Sequence, residues 1–131
     1  MGYSPLYWGR QAWHFIHYVA LNYPEQPTEE DKATYMAFID SLHKVLPCPI
    51  CGVHFRENLK KLPPRLENNK EFFEWSVDMH NEVNKLNDKR EYTYEEAMNE
   101  LSVNSNEAID DKLKAINNKM SLLMTTMKMP K

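Results

Sequence analysis

Apolar residues recur at helical spacing along almost the whole chain, and no stretch alternates as a half-buried strand does. The fold open to such a chain is a packing of helices. Prolines cut the pattern into pieces. Ser4–Pro5 offers a capping hydroxyl and a proline suited to a first turn, and Trp8, Ala12, Phe15 and Val19 follow as one stripe until Pro24. Thr28 with Asp31 has the form of a capping box. It opens a second helix whose face is Tyr35, Phe38, Ile39, Leu42, Val45 and Leu46, ending before Pro47. A third helix starts within Cys48–Cys51 and runs through Phe55 and Leu59 to Pro63–Pro64. Asn69 is the expected cap of a fourth, where Phe73, Val77, His80 and Asn84 share a stripe beside Phe72, Ser76 and Val83. A short fifth helix covers Tyr94 to Leu101. The expected class is all-α: a four-helix bundle with a short fifth helix, plus a C-terminal amphipathic helix.

That last helix follows from a change after Leu101. The remaining residues hold four of the eight methionines and no aromatic residue, His, Cys or Gly. Ile109, Leu113, Ile116, Met120, Leu123 and Met127 alternate spacings of four and three, which is a heptad seam. It either docks on its own bundle or pairs with a second chain or a partner. The expected division is a domain over 1–101 and an extension over 102–131.

Only three glycines occur among 131 residues, none close to another. This excludes a glycine-rich phosphate loop and the G-x-G-x-x-G fingerprint, which need several close backbone approaches. A net charge of −3 argues against affinity drawn from nucleic-acid phosphates. No apolar run is long enough to span a bilayer, and no secretory signal opens the chain. The Met1–Gly2 start carries Leu6 where a myristoylation motif needs Ser or Thr. The expectation is a soluble intracellular protein.

The two cysteines form one C-x-x-C. A disulfide across that spacing closes a very short loop and is a weak structural staple. The spacing suits chemistry, because each thiol can resolve the other's mixed disulfide. A helix beginning there lowers a thiol pKa through its unpaired N–H groups, and His54, one turn beyond Cys51, is placed to tune the site. Three readings stay open on the residues alone: a redox-active dithiol, a zinc site using Cys48, Cys51, His54 and His43, and a pair of inert thiols. A thioredoxin-like enzyme is disfavoured because no strand precedes Cys48.

Three blocks of the chain become legible together. Trp8-Gly9-Arg10-x-x-Trp13-x-x-x-His17 resembles the opening signature of the Erv/ALR family of FAD-linked sulfhydryl oxidases. Leu46-Pro47-Cys48-Pro49-Ile50-Cys51 resembles its active-site turn, and His80-Asn81-Glu82-Val83-Asn84 is similar to its H-N-x-V-N cofactor motif. The blocks stand in family order over about residues 5 to 101, in a minimal form resembling those of large DNA viruses. The resemblance implies non-covalent FAD inside the bundle. Trp8, Gly9, Arg10, Trp13 and His17 would line it from the first helix, Cys51 and Phe55 from the third. His80, Asn81, Val83, Asn84, Asn87 and Lys89 would do so from the fourth, with Tyr92 near the adenine. The residue types are chemically suited to such a cofactor. Indoles stack on planar rings, and Arg10 and Lys89 can neutralise a pyrophosphate.

By the same resemblance, substrate thiolate attacks the disulfide at Cys48, taken as the more exposed sulfur. Cys51 then passes the electron pair to the flavin, and molecular oxygen accepts it as hydrogen peroxide. Many relatives carry a shuttle disulfide and a cysteine pair stapling the fifth helix. This chain has neither, so packing around Tyr92, Tyr94 and Leu101 must hold that helix. Implied partners are protein thiols or a separate thiol–disulfide carrier, and a second copy in a homodimer. Implied locations are a viral host's cytoplasm, the virion, or the mitochondrial intermembrane space. The competing class is a non-enzymatic helical module with a zinc-binding or inert C-x-x-C; a helical dithiol carrier without flavin is a third.

Overall fold

The structure, a computed structural model, describes residues 2–127; Met1 of the Met1–Gly2 start and the last four residues of the 102–131 extension lie outside the described residues. Those described form six α-helices and no strand: α1 (Pro5–Leu21), α2 (Glu29–Val45), α3 (Pro49–Lys61), α4 (Asn69–Leu86), α5 (Tyr94–Ser102) and α6 (Asn106–Met127). The chain divides into two compact units, one up to Tyr94 and one from Glu95 on. The break falls at the start of α5 rather than after it, where the sequence suggests.

In the first unit α1 packs on α4 and α2 on α3, with α3 also touching α4. Local chemistry sets the helix starts. Ser4 caps α1, its Oγ accepting from the Leu6 N–H at 3.3 Å. Thr28 and Asp31 close a reciprocal capping box on α2, at 3.0 and 2.9 Å. The cap of α4 is Asn68, whose Oδ1 accepts from the Glu71 N–H at 2.8 Å. Asn69, the expected cap, does something else: its Nδ2 donates to the carbonyls of Ala20 (3.2 Å) and Tyr23 (2.9 Å), closing the C-terminal end of α1. One asparagine pair thus starts α4 and finishes α1, satisfying groups both termini leave open.

The core is built around α4, which buries Phe72, Phe73, Trp75, Ser76, Val77, Met79 and Asn84. Tyr23, Tyr35, Phe72 and Trp75 form an aromatic cluster with centroids 4.7 to 5.9 Å apart. Its polar tips are satisfied: Tyr23 Oη donates to the Leu66 carbonyl and Trp75 Nε1 to the Leu62 carbonyl, as buried aromatics of this kind require. The face of α1 differs from the expected stripe. Ile16, His17 and Ala20 are buried, whereas Phe15 is 59% exposed and only touches Phe38 edge-on. The reason is α4, which turns α1 by about a residue so that His17 meets Ser76 and His80.

Beyond α4 the chain reverses through Asp88, at φ 53 in the left-handed region. Lys89 N–H bonds to the Asn84 carbonyl (2.8 Å) and Asp88 N–H to the Lys85 carbonyl (3.3 Å), the paired bonds of a Schellman turn. The Asp78 carboxylate accepts from Arg65 Nη2 at 2.9 Å and from Tyr94 Oη at 2.7 Å, fixing the returning segment.

In the second unit α5 buries Ala97 and Leu101. Of the three residues expected to pack there, Leu101 is buried at 4% exposure, while Tyr92 and Tyr94 are 38% and 41% exposed and make hydrogen bonds to Asn81 and Asp78. The 22-residue helix α6 buries no side chain.

Candidate active site

Cys48 is the N-cap of α3 and Pro49 its first residue. Cys48 and Cys51 are joined as a disulfide, with Cα atoms 5.2 Å apart. Cys48 Sγ accepts from the Cys51 N–H at 3.3 Å. The sulfur at the positive end of the helix is therefore Cys48, and its thiolate is the one the α3 terminus favours. Both sulfurs being committed to one bond, the zinc reading loses its thiolate ligands.

As a whole residue Cys48 is 8% exposed, and Cys51 is half-buried. The N-terminal strap runs beside this turn: Tyr3 N–H donates to the Pro47 carbonyl at 2.6 Å, and the indole N–H of Trp8 holds the Tyr3 carbonyl at 2.9 Å. Gly2 lies so near that a Cβ there would stand 2.7 Å from Pro49 Cδ and 3.3 Å from Cys48 Cα. On the other side, Gly52 faces α2, where a Cβ would run into the His43 carbonyl oxygen. Phe55, one turn on, is buried.

A second cluster joins α1 to α4. His17 Nδ1 lies 2.9 Å from Ser76 Oγ, and His17 Nε2 lies 3.0 Å from His80 Nδ1. The Trp13 indole stacks on the His80 ring, 4.5 Å between centroids and 6° from parallel. Burial pushes the His17 pKa down to about 3, helped by His80 and His14. Burial likewise lowers His80 to about 4, helped by His14 and Lys89. Both rings are neutral at pH 7. Gly9 lies two turns before His17 on α1, near the Trp13 and His17 face. A Cβ on Gly9 would meet only Pro5 Cβ, at 3.5 Å, so nothing in the chain's own packing demands a glycine there. Asn84 is 4% exposed, and its Nδ2 donates to Asn81 Oδ1 at 3.4 Å.

Of the expected cofactor residues, Trp13, His17 and His80 meet where α1 packs on α4, with Gly9 on α1 before them and Val83 and Asn84 about one turn beyond His80 on α4. Others stand differently. Asn81 gives its amide to the backbone of Tyr92, donating to its carbonyl (2.8 Å) and accepting from its N–H (2.9 Å). Asn87 is the C-cap of α4 and exposed. Arg10 and Lys89 are exposed, and Tyr92 carries Arg90 over its ring at 5.0 Å. A separate groove of about 420 Å³ between α3 and α4, lined by His54, Glu57, Asn58, Lys61, Glu82, Lys85 and Leu86, contains none of the expected cofactor residues. Ser76, Gly52 and the Gly2–Tyr3 strap were not singled out by sequence. Only the poverty in glycine hints at Gly2 and Gly52, since each that remains needs a reason.

A family model described as Erv1/Alr matches residues 10–104. The chain belongs to the Erv1/Alr family. It is 42% identical over 98 residues to a probable FAD-linked sulfhydryl oxidase of Acanthamoeba polyphaga mimivirus, covering 72% of this chain and 68% of that one. It is 31% identical over 94 residues to the FAD-linked sulfhydryl oxidase of African swine fever virus, covering 72% of this chain and 79% of the relative. The mitochondrial FAD-linked sulfhydryl oxidase of Saccharomyces cerevisiae matches at 34% over 77 residues, which is 59% of this chain and 41% of the relative. The crystal structure of the yeast Erv1 core superposes with a TM-score of 0.70 at 28% identity, covering 75% of this chain and 83% of that one. The family match ends at residue 104, so α6 lies outside it.

Proposed function

We propose that this chain is an FAD-linked sulfhydryl oxidase that makes disulfides in protein thiols. The observation carrying the proposal is the Cys48–Cys51 disulfide capping α3, in a chain of the Erv1/Alr family. The α1–α4 face fits a dinucleotide with a flat ring system. It offers parallel aromatic rings, an open glycine and the buried amide of Asn84, whose hydrogen bond to Asn81 is long at 3.4 Å. Two exposed cations, Arg10 and Lys89, suit a pyrophosphate. Trp8, Gly9, Arg10, Trp13, His17, Cys51, Phe55, His80, Val83, Asn84, Asn87 and Lys89 are the proposed contacts, with Asn81 acting chiefly by holding Tyr92 in place.

The chain's own part is thiol–disulfide exchange. A substrate thiolate attacks Cys48 Sγ, forming a mixed disulfide and releasing Cys51 as thiolate. A second substrate thiolate attacks the substrate sulfur of that bond, forming the product disulfide, and Cys48 leaves as thiolate. The Cys51 N–H and the α3 terminus stabilise the leaving charge on Cys48. Bound FAD supplies the two-electron acceptor that returns the pair to its disulfide. Molecular oxygen is the proposed terminal acceptor, with hydrogen peroxide as product. Electrons are proposed to reach Cys48 directly from the substrate or from a separate carrier.

The extension over 102–131 is proposed to lie outside this chemistry. Its heptad seam suits pairing with another helix, and a homodimer is the proposed assembly. A host cytoplasm or the intermembrane space is the proposed location, after the viral and mitochondrial relatives. Peroxide release with a reduced protein substrate tests the activity. Cys48→Ser and Cys51→Ser are each expected to lower it by about a thousandfold or more, as losing a nucleophile or its resolving partner does. Undiminished peroxide release in either variant would overturn the proposal.

A further inference from the structure

Two oxygens 2.6 Å apart have a hydrogen between them. Ser76 Oγ stands at that distance from the Phe73 carbonyl, and the carbonyl has no hydrogen to give. The hydroxyl's single proton is thus committed to Phe73, one turn back on α4. Toward His17 Nδ1, 2.9 Å away, Ser76 is left only lone pairs, so His17 carries its proton on Nδ1. A neutral imidazole with Nδ1–H accepts at Nε2. That nitrogen faces His80 Nδ1 at 3.0 Å, which must then be protonated in turn. The order runs from a fixed backbone carbonyl through three side chains and ends on the bare Nε2 of His80.

We infer that Ser76 is a positioning residue: through His17 it holds His80 in the Nδ1–H form, so that His80 Nε2 meets the bound cofactor as a hydrogen-bond acceptor. The cofactor group it selects is a donor, an N–H or a hydroxyl, and not a phosphate or carbonyl oxygen. The second half rests on the FAD-binding reading; the first does not.

The order needs both rings neutral, because a proton on His17 would reverse the last link and turn His80 Nε2 into a donor. The surroundings keep them so. His17 is 5% exposed. The charged and titratable groups acting on the pair are His14, from α1, and Lys89, from the turn after α4, and both disfavour a further positive charge. No carboxylate is among them. Ser76 itself is fully buried, so water does not compete for its hydroxyl.

The test is nitrogen-15 NMR of the imidazoles in the full-length protein as purified, at pH 7, with the visible spectrum taken on the same sample. The expected result is Nδ1–H and bare Nε2 on both His17 and His80. Ser76→Ala removes the acceptor without adding bulk, and is expected to move both rings toward Nε2–H and raise the Kd for FAD about tenfold, roughly one hydrogen bond. Ser76→Thr, which keeps the hydroxyl, is expected to retain the wild-type tautomers. A protonated Nε2 on His80 in the wild-type protein overturns the inference, and needs no variant. So does a Ser76→Ala protein with unchanged tautomers. If no flavin binds while the tautomers are as stated, the cofactor half falls with the FAD reading, and the ordering of the histidines by Ser76 stands.

Discussion

Helices α4 and α6 are both amphipathic, and they end up in opposite circumstances. Over 18 residues α4 buries seven side chains, while α6 buries none over 22. The difference lies in what completes each face. Along α4 the apolar positions are broad aromatic surfaces, and α1, α3 and their flanking segments supply carbonyls and rings that fit them. Along α6 the seam is narrow, aliphatic and spaced at 3.5 residues on average, the pattern of a helix that matches another helix like itself. Periodicity therefore reports that a face is apolar, and the shape and polarity of its residues report what kind of surface suits it.

Substitution in the two helices tests that contrast most sharply. Phe72→Ala, at a position with no exposure, is expected to cost about 3–5 kcal/mol in chemical denaturation. Ile116→Ala on α6, 52% exposed, is expected to stay within about 0.5 kcal/mol in dilute monomer. Equal losses would break the distinction. A smaller effect belongs to Gly52, whose Cβ would push on the His43 carbonyl. Gly52→Ala is expected to lower stability by about 1–3 kcal/mol through overpacking, read from the denaturation midpoint; no change would mean that α2 and α3 are not so closely opposed.

The buried histidines give the contrast a pH dependence. Their folded pKa values lie below the unfolded value of 6.5, at about 3 and about 4, so the unfolded chain binds the extra protons. Their contribution is complete above about pH 6.5 and is lost as pH falls toward 4 and then 3, with a slope of at most about 1.4 kcal/mol per pH unit for each ring. His17→Asn is expected to flatten the fall in stability between pH 6.5 and 4 relative to the parent. An identical fall in both would assign the acid sensitivity to carboxylates alone. The smallest effect concerns access. Gly2→Ala lifts the strap off Cys48, and the reduction of the disulfide by a small thiol is expected to quicken about two- to tenfold, the worth of one lost backbone hydrogen bond. An unchanged rate would mean that the strap does not limit attack on Cys48.

Much of this architecture was legible in the sequence because it is decided locally. Ser4–Pro5, the Thr28–Asp31 box and the proline stops mark helix ends with groups a few residues apart. The C-x-x-C at a helix start carries its own electrostatics. What was not legible depends on distant partners. Trp8-Ala12-Phe15-Val19 and Trp13-Ile16-His17-Ala20 are adjacent stripes of α1. The stripe through His17 is the poorer core face by composition only because of that histidine, whose partner Ser76 lies 59 residues away. The twin asparagines 68 and 69 are indistinguishable until the end of α1 is in place to receive one of them. Gly2 and Tyr3 approach Pro47 and Cys48, a contact that no pattern around the cysteines could announce. The residues proposed to touch FAD were found by resemblance, whereas Ser76 behind them was visible only in the folded arrangement.

The central claim is that Cys48 and Cys51 feed electrons to a flavin held by the same chain, and the visible spectrum tests it most directly. The purified protein is expected to show flavin absorbance that bleaches with dithiothreitol under argon and returns on admitting air, with no bleaching in Cys51→Ala on the same timescale. A correctly folded protein that stays colourless after incubation with FAD would contradict the account, as would a flavin bleached equally fast without Cys51.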